Sequence, residues 1–158
     1  MSVALFIPCY VDQLYPQVAR ATLAVLEARG VKVEYPLAQT CCGQPMANAG
    51  CEGDAHAAAR RFVRTFAGYD TIVAPSGSCV QYVRHHFDAL PQTPQVQQVR
   101  SRTMELCEFL LTLPDGPPID FPYRIGVHVG CHAVRGLRQA TASELGPVPG
   151  GALRTLLA

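Results

Sequence analysis

The sequence predicts an α/β fold, a Rossmann-like parallel sheet flanked by helices, with the start of a second similar repeat behind it. Three observations carry this. Short apolar runs of strand length alternate with longer segments in helical rhythm, which is the pattern of βαβ units. Cysteines follow the ends of several of these runs. A proline-rich stretch near residue 120 is followed by another strand-like run and another cysteine.

Val3-Ala4-Leu5-Phe6-Ile7 is a continuous apolar run and reads as a buried strand. After a loop, Pro16 occupies a first helical position, and Gln17 to Arg29 follow with Val18, Thr22, Val25 and Leu26 on one face. Gly30 ends that helix. Val31 to Tyr35 alternates as a second strand, and a loop from Cys42 to Gly50 leads to a helix over about 54–67, with Phe62, Val63 and Phe66 facing inward. Thr71 to Ala74 is a third strand, and Pro75-Ser76-Gly77-Ser78 is a turn that opens a helix from Cys79 to about Leu90. Gln92 to Gln98 reads as a polar connection. A helix from about Ser101 to Leu113 follows, with Met104, Leu106, Phe109, Leu110 and Leu113 as its apolar positions. Pro114 to Pro122 holds four prolines and a glycine and is the linker candidate. Beyond it, Arg124 to Val129 reads as a strand leading to Gly130-Cys131-His132, and the remainder is weakly helical, broken at Gly146-Pro147 and Gly150-Gly151.

At 158 residues and 49% hydrophobic, the chain can bury a real core. With 16% charged residues and a net charge of +1, it offers no electrostatic footprint for nucleic acid and no basic tract for an anionic membrane. No apolar stretch is long enough for a transmembrane segment, and Met1 to Pro8 lacks the basic start of a secretory signal, so a cytoplasmic location is expected. In that reducing setting, seven cysteines point to metal binding, redox chemistry or burial rather than a disulfide framework.

Position separates these uses. Ligands of parallel α/β sheets gather beyond the carboxyl ends of the strands. Cys9 lies two residues past the first strand, Cys41 and Cys42 lie after the second, and Cys79 lies in the turn after the third. Three strand ends therefore deliver four sulfurs to one rim. Soft thiolates select zinc or iron–sulfur clusters, and their mutual repulsion calls for a cation among them. Neighbouring side chains diverge, so the Cys41-Cys42 pair suits a multi-iron cluster better than two corners of one zinc tetrahedron. Cys79 at a helix start gains from the exposed N–H groups there, and Gly43 permits a turn that a side chain would obstruct. Cys51 and Cys107 read as having no ligand role, and Cys131 is evenly balanced. His56, His85 and His86 read as surface residues. His128 and His132 flank Cys131 without further support. No Ser-His-Asp order, phosphate-binding glycine loop or carboxylate pair is present. Three readings remain open: an iron–sulfur electron carrier, a zinc-thiolate scaffold, and a dithiol–disulfide enzyme using Cys41-Cys42.

The motifs Ile7-Pro8-Cys9, Thr40-Cys41-Cys42-Gly43-Gln44-Pro45, Ala74-Pro75-Ser76-Gly77-Ser78-Cys79, Glu105 to Leu110 and Cys131 to Leu137 resemble the cysteine-rich CCG domain. That domain occurs in heterodisulfide reductases, glycolate oxidase iron–sulfur subunits and the lactate-utilisation type, to which these motifs are most similar. The resemblance implies a non-catalytic electron-transfer subunit with an iron–sulfur cluster, of the 4Fe-4S type or non-cubane, with zinc as the alternative. Its cluster ligands would be Cys9, Cys41, Cys42 and Cys79. It also implies a partner dehydrogenase or iron–sulfur subunits of a lactate or glycolate oxidation complex. A homodimer is another way to cover an exposed sheet edge. Two departures stand out. The family's closing C-x-x-C reads Ser76-Gly77-Ser78-Cys79, which makes Ser76 a weaker ligand candidate in place of a sulfur. Of the family's second repeat only Cys131 is present, so residues 1–120 are expected to form the first CCG domain and 121–158 the start of a second.

Overall fold

The computed structural model describes residues 2–116, 121–140 and 151–157. Four parallel strands form one sheet in the order β2-β1-β3-β4, comprising β1 (Val3–Leu5), β2 (Val33–Glu34), β3 (Thr71–Ala74) and β4 (Thr103–Glu105). The register pairs Val3 with both Val33 and Thr71, and Ile72 with Thr103. The helices are α1 (Cys9–Leu14), α2 (Pro16–Ala28), α3 (Gln44–Asn48), α4 (Glu52–Phe66), α5 (Gly77–His86), α6 (Pro94–Arg102), α7 (Leu106–Leu110) and α8 (Ala152–Leu156). The expected α/β architecture is therefore present.

The central strands are apolar on both faces, as strands covered on both sides must be. Ala4, Phe6, Ile72 and Ala74 face a core shared with Phe62 and Phe66 of α4 and Val80 and Val83 of α5. Val3, Leu5, Ile7 and Val73 face the opposite layer, where Val11, Leu26, Phe109 and Leu110 close over them. The first layer is aromatic: Phe6 meets Phe62 edge-on at 4.8 Å and Phe66 at 5.7 Å between ring centroids. Such arrangements add roughly 0.5–1.5 kcal/mol per pair beyond area burial.

The third strand lies where the sequence predicts it, and α2 begins on Pro16 with Gly30 following its cap at φ +72°. On the expected face of α2, Thr22 and Leu26 are buried, whereas Val18 and Val25 are exposed. Several connections are corrected. The loop after the first strand is α1, which starts on Cys9 itself. The loop from Cys42 to Gly50 contains α3. The polar connection from Gln92 to Gln98 is largely the start of α6, capped by the Thr93 hydroxyl accepting from the Val96 N–H. The expected helix from Ser101 to Leu113 is instead the end of α6, the strand β4 and the short α7. Three residues are too few to show a period of two, so β4 declares itself only by pairing with β3. The second strand is reduced to two residues at the sheet edge. The helix expected from Cys79 starts at Gly77 and ends at His86, followed by a 3-10 turn, Phe87–Ala89.

Arg124 to Val129, expected as a strand, belongs to no strand among the described residues; 124–128 are exposed and Val129 is half-buried. Alternation supplies a face but not the sheet against which to lay it. The segment that follows makes a five-residue helical turn, His132–Gly136, packed on α5. Gly77 lies so close to Ala133 that an added Cβ would sit 3.0 Å from the alanine methyl. The predicted linker falls partly, and the breaks at Gly146-Pro147 and Gly150 wholly, outside the described residues.

Candidate functional site

The strand ends deliver the four cysteines as the topology demands. Cys9 opens α1 just beyond β1, Cys41 and Cys42 precede α3, and Cys79 sits in the first turn of α5 beyond β3. Cys9 Sγ lies 3.4 Å from Cys41 Sγ. Cys42 is fully buried and interacts with both Cys41 and Cys79. Cys9 and Cys41 are half-exposed, whereas Cys42 and Cys79 are buried. Cys42 is 1% exposed and Cys79 is 3% exposed.

Backbone geometry holds this arrangement. Gly43 has φ +102°, and a Cβ there would lie 2.7 Å from the Ala55 carbonyl oxygen of α4. Only glycine satisfies both demands. Its N–H points at Cys41 Sγ, 3.4 Å away. Gln39 is a residue that sequence inspection passed over. Its side chain accepts from the Ile7 N–H at 2.8 Å and donates to the Leu5 carbonyl at 3.1 Å. It therefore continues the edge pairing where β2 stops and ties the exit of β1, with Cys9, to the loop carrying Cys41. A long-range side-chain bond of this kind has no sequence signature. Gln44 is buried and reaches Cys79 Sγ at 4.0 Å.

Hydrogen bonding and burial divide the thiols. Donation from Cys42, aided by the Gly43 N–H and by Cys9 and opposed by burial, brings Cys41 down to about 5. Cys79 is also lowered, chiefly by Cys42, against burial, with the Ser76 and Ser78 hydroxyls assisting. The donors shift the other way. Burial and the neighbouring Cys41 push Cys9 up to about 11, and Cys42 is held well above its ordinary value by donation to Cys41 and Cys79. Burial, and then the charges of Cys42 and Cys41, raise Tyr82, one turn after Cys79.

Ser76 enters the site in another way than as a simple stand-in for sulfur. It caps α5, its Oγ accepting from the Cys79 N–H at 3.4 Å, and lies 3.4 Å from Ser78 Oγ. Cys131 is exposed at the start of the turn packed on α5. Cys51 is exposed at the cap of α4. Cys107 is in α7, its thiol raised to about 12 by burial and then by Glu105 and Glu108. His85, His86, His128 and His132 are exposed, with His86 stacked on Tyr82, and His56 is half-buried.

Among the described residues, no group of three or more His, Cys, Asp and Glu side chains is set to hold a metal ion. The donor set is nonetheless that of a soft-metal site: four sulfurs, two with lowered thiol pKa values, with N–H and O–H groups aimed at them. No helix among the described residues is long and apolar enough to cross a membrane.

Residues 3–84 match the family described as a cysteine-rich domain, CCG. The chain is 36% identical over 141 residues to a protein named Lactate utilization protein A from Geobacillus thermodenitrificans, covering 85% of this chain and 59% of the relative. Proteins of the same name from Geobacillus kaustophilus and an Exiguobacterium species are 35% and 36% identical, over 95% and 94% of this chain and 66% and 65% of their own length. The chain thus spans about three fifths to two thirds of the curated relatives it matches. No solved structure matches. The matched segment contains Cys9, Cys41, Cys42, Gly43 and Cys79 together with the strands that deliver them, and the chain belongs to the cysteine-rich CCG domain family.

Proposed function

We propose that Cys9, Cys41, Cys42 and Cys79 hold an iron–sulfur cluster of the 4Fe-4S or non-cubane type, and that the chain carries electrons for a partner that oxidises lactate or a related 2-hydroxy acid. The observation behind the cluster is the vicinal Cys41-Cys42 pair, with Cys9 Sγ 3.4 Å from Cys41 Sγ and Cys42 interacting with Cys79. The lactate connection comes from the name of the relatives. When bound, the cluster would supply reversible one-electron transfer. The chain's own residues supply the sulfurs, the Gly43 N–H and Ser76 and Ser78 hydroxyls that temper their charge, and a buried setting for Cys42 and Cys79. Chemistry on the 2-hydroxy acid belongs to the partner dehydrogenase. Within this proposal residues 1–120 are one cysteine-rich unit and 121–158 open another, because Val129-Gly130-Cys131 parallels Ile7-Pro8-Cys9 in sequence.

The test is anaerobic purification followed by iron, zinc and acid-labile sulfide determination. Iron and sulfide in matching amounts, thiolate-to-iron absorption, and an electron paramagnetic signal lost in Cys41→Ser are the expected results. Stoichiometric zinc without iron would replace the cluster with a zinc-thiolate scaffold. Neither metal after anaerobic reconstitution would refute metal binding by this chain.

A further inference from the structure

Two half-exposed sulfurs, those of Cys9 and Cys41, lie 3.4 Å apart on separate segments of backbone. We propose that this pair is a site of reversible disulfide modification, closed by a low-molecular-weight disulfide such as oxidised glutathione. Forming the bridge removes half of the thiol set from metal, a consequence that rests on the function proposed above.

Geometry selects this pair over the others. A disulfide needs sulfurs about 2.04 Å apart, so Cys9 and Cys41 close the bond with a relative movement of about 1.4 Å. Cys41 and Cys42 are adjacent, and Cα atoms joined by a trans peptide lie about 3.8 Å apart, below the roughly 4.4–6.8 Å that unstrained bridges span. Cys42 and Cys79 are buried, at 1% and 3% exposure, so a tripeptide disulfide cannot reach either without opening the core. Gln39 adds a further constraint. By bonding both the Ile7 N–H and the Leu5 carbonyl, it fixes the strand leading to Cys9 against the loop leading to Cys41. The two thiols therefore face each other as a property of the fold.

The chemistry balances in two exchanges. One of the two sulfurs attacks oxidised glutathione, forming a protein–glutathione mixed disulfide and releasing one glutathione thiol. The other protein sulfur attacks the protein sulfur of that mixed disulfide, forming the Cys9–Cys41 bond and releasing the second glutathione. Two protein thiols are oxidised, one glutathione disulfide is reduced to two thiols, and the two Sγ protons leave on the glutathione products. Excess dithiothreitol reverses the sequence.

The test uses the full chain, incubated with oxidised glutathione, alkylated, digested without reduction and mapped by peptide mass. The expected product is a linked peptide joining Cys9 to Cys41, present in wild type and in Cys51→Ser and Cys131→Ser, and absent in Cys9→Ser and Cys41→Ser. In Cys9→Ser a glutathione adduct on Cys41 replaces it. Far-ultraviolet circular dichroism of each variant establishes that the fold is retained. A dominant bridge from Cys42 to Cys41 or to Cys79, or stable glutathione adducts on Cys9 and Cys41 of the wild type without cross-link, would overturn the assignment. Iron loading is measured in parallel on reduced and bridged protein, with uptake expected in the reduced form alone. If the reduced form takes up no iron, the cluster proposal fails while the peptide map still decides the bridge.

Discussion

An alanine at position 43 would meet two separate obstacles, and the structure allows each to be sized. Gly43 has φ +102°, where an L side chain strains the backbone by about 1–2 kcal/mol. The new Cβ would also lie 2.7 Å from the Ala55 carbonyl oxygen, a backbone atom of α4 that cannot rotate away. Overpacking of that kind costs roughly 1–3 kcal/mol. The sum for Gly43→Ala is about 2–5 kcal/mol, which at a urea slope of about 2 kcal/mol/M lowers the unfolding midpoint by about 1–2.5 M. Gly30→Ala is the internal control. Gly30 has φ +72° with nothing within 4 Å of an added Cβ, so only the strain of about 1–2 kcal/mol applies, or about 0.5–1 M. Urea titration followed by circular dichroism measures both on the reduced, metal-free chain. Equal midpoints for the two variants would refute the Ala55 contact as the constraint. The same substitution displaces the Gly43 N–H from Cys41 Sγ, so it should also raise the pH at which Cys41 becomes reactive toward iodoacetamide.

Other predictions follow from the same geometry. Phe66→Ala empties a fully buried position between Phe6 and Phe62 and should cost about 3–5 kcal/mol in urea unfolding; a loss under about 1 kcal/mol would mean that the aromatic layer is not packed as described. Ser76→Ala removes the α5 cap and should cost about 0.5–2 kcal/mol while shifting Cys79 alkylation to higher pH, because the hydroxyl that favours its thiolate is gone. An unchanged alkylation profile would leave Ser76 a cap alone. Cys41 carries the pH dependence: its folded pKa of about 5 lies below the ordinary 9.0, so between those values the unfolded chain binds the extra proton. The stability that it contributes is fully present above about pH 9 and is lost as pH falls through about 5. The difference in unfolding midpoint between wild type and Cys41→Ser should therefore grow from pH 5 towards pH 9, and a flat difference would refute a depressed Cys41. Arg84→Ala breaks a forked pair with Glu108 at 3.1 and 2.7 Å and a bond to the Thr103 carbonyl, and should cost about 1.5–3 kcal/mol in thermal unfolding.

The sequence by itself determined the alternation of strands and helices, the carboxyl-end position of Cys9, Cys41, Cys42 and Cys79, and the need for glycine at position 43. Each is a local property: an apolar run, a breaker, or a cysteine a fixed distance past a strand. β4 was legible only through its partner, because Thr103-Met104-Glu105 is too short to show alternation and the neighbouring apolar residues continue a helical rhythm. The shortening of the second strand and the loss of a strand at Arg124 to Val129 have one cause. A strand exists only where another strand accepts its backbone hydrogen bonds, and a pattern of side chains does not supply one. The tertiary structure alone decided that Gln39 stitches the first strand to the cysteine loop. It also set Cys9 within 3.4 Å of Cys41. Those are contacts between residues far apart in the chain, set by how the sheet and helices pack.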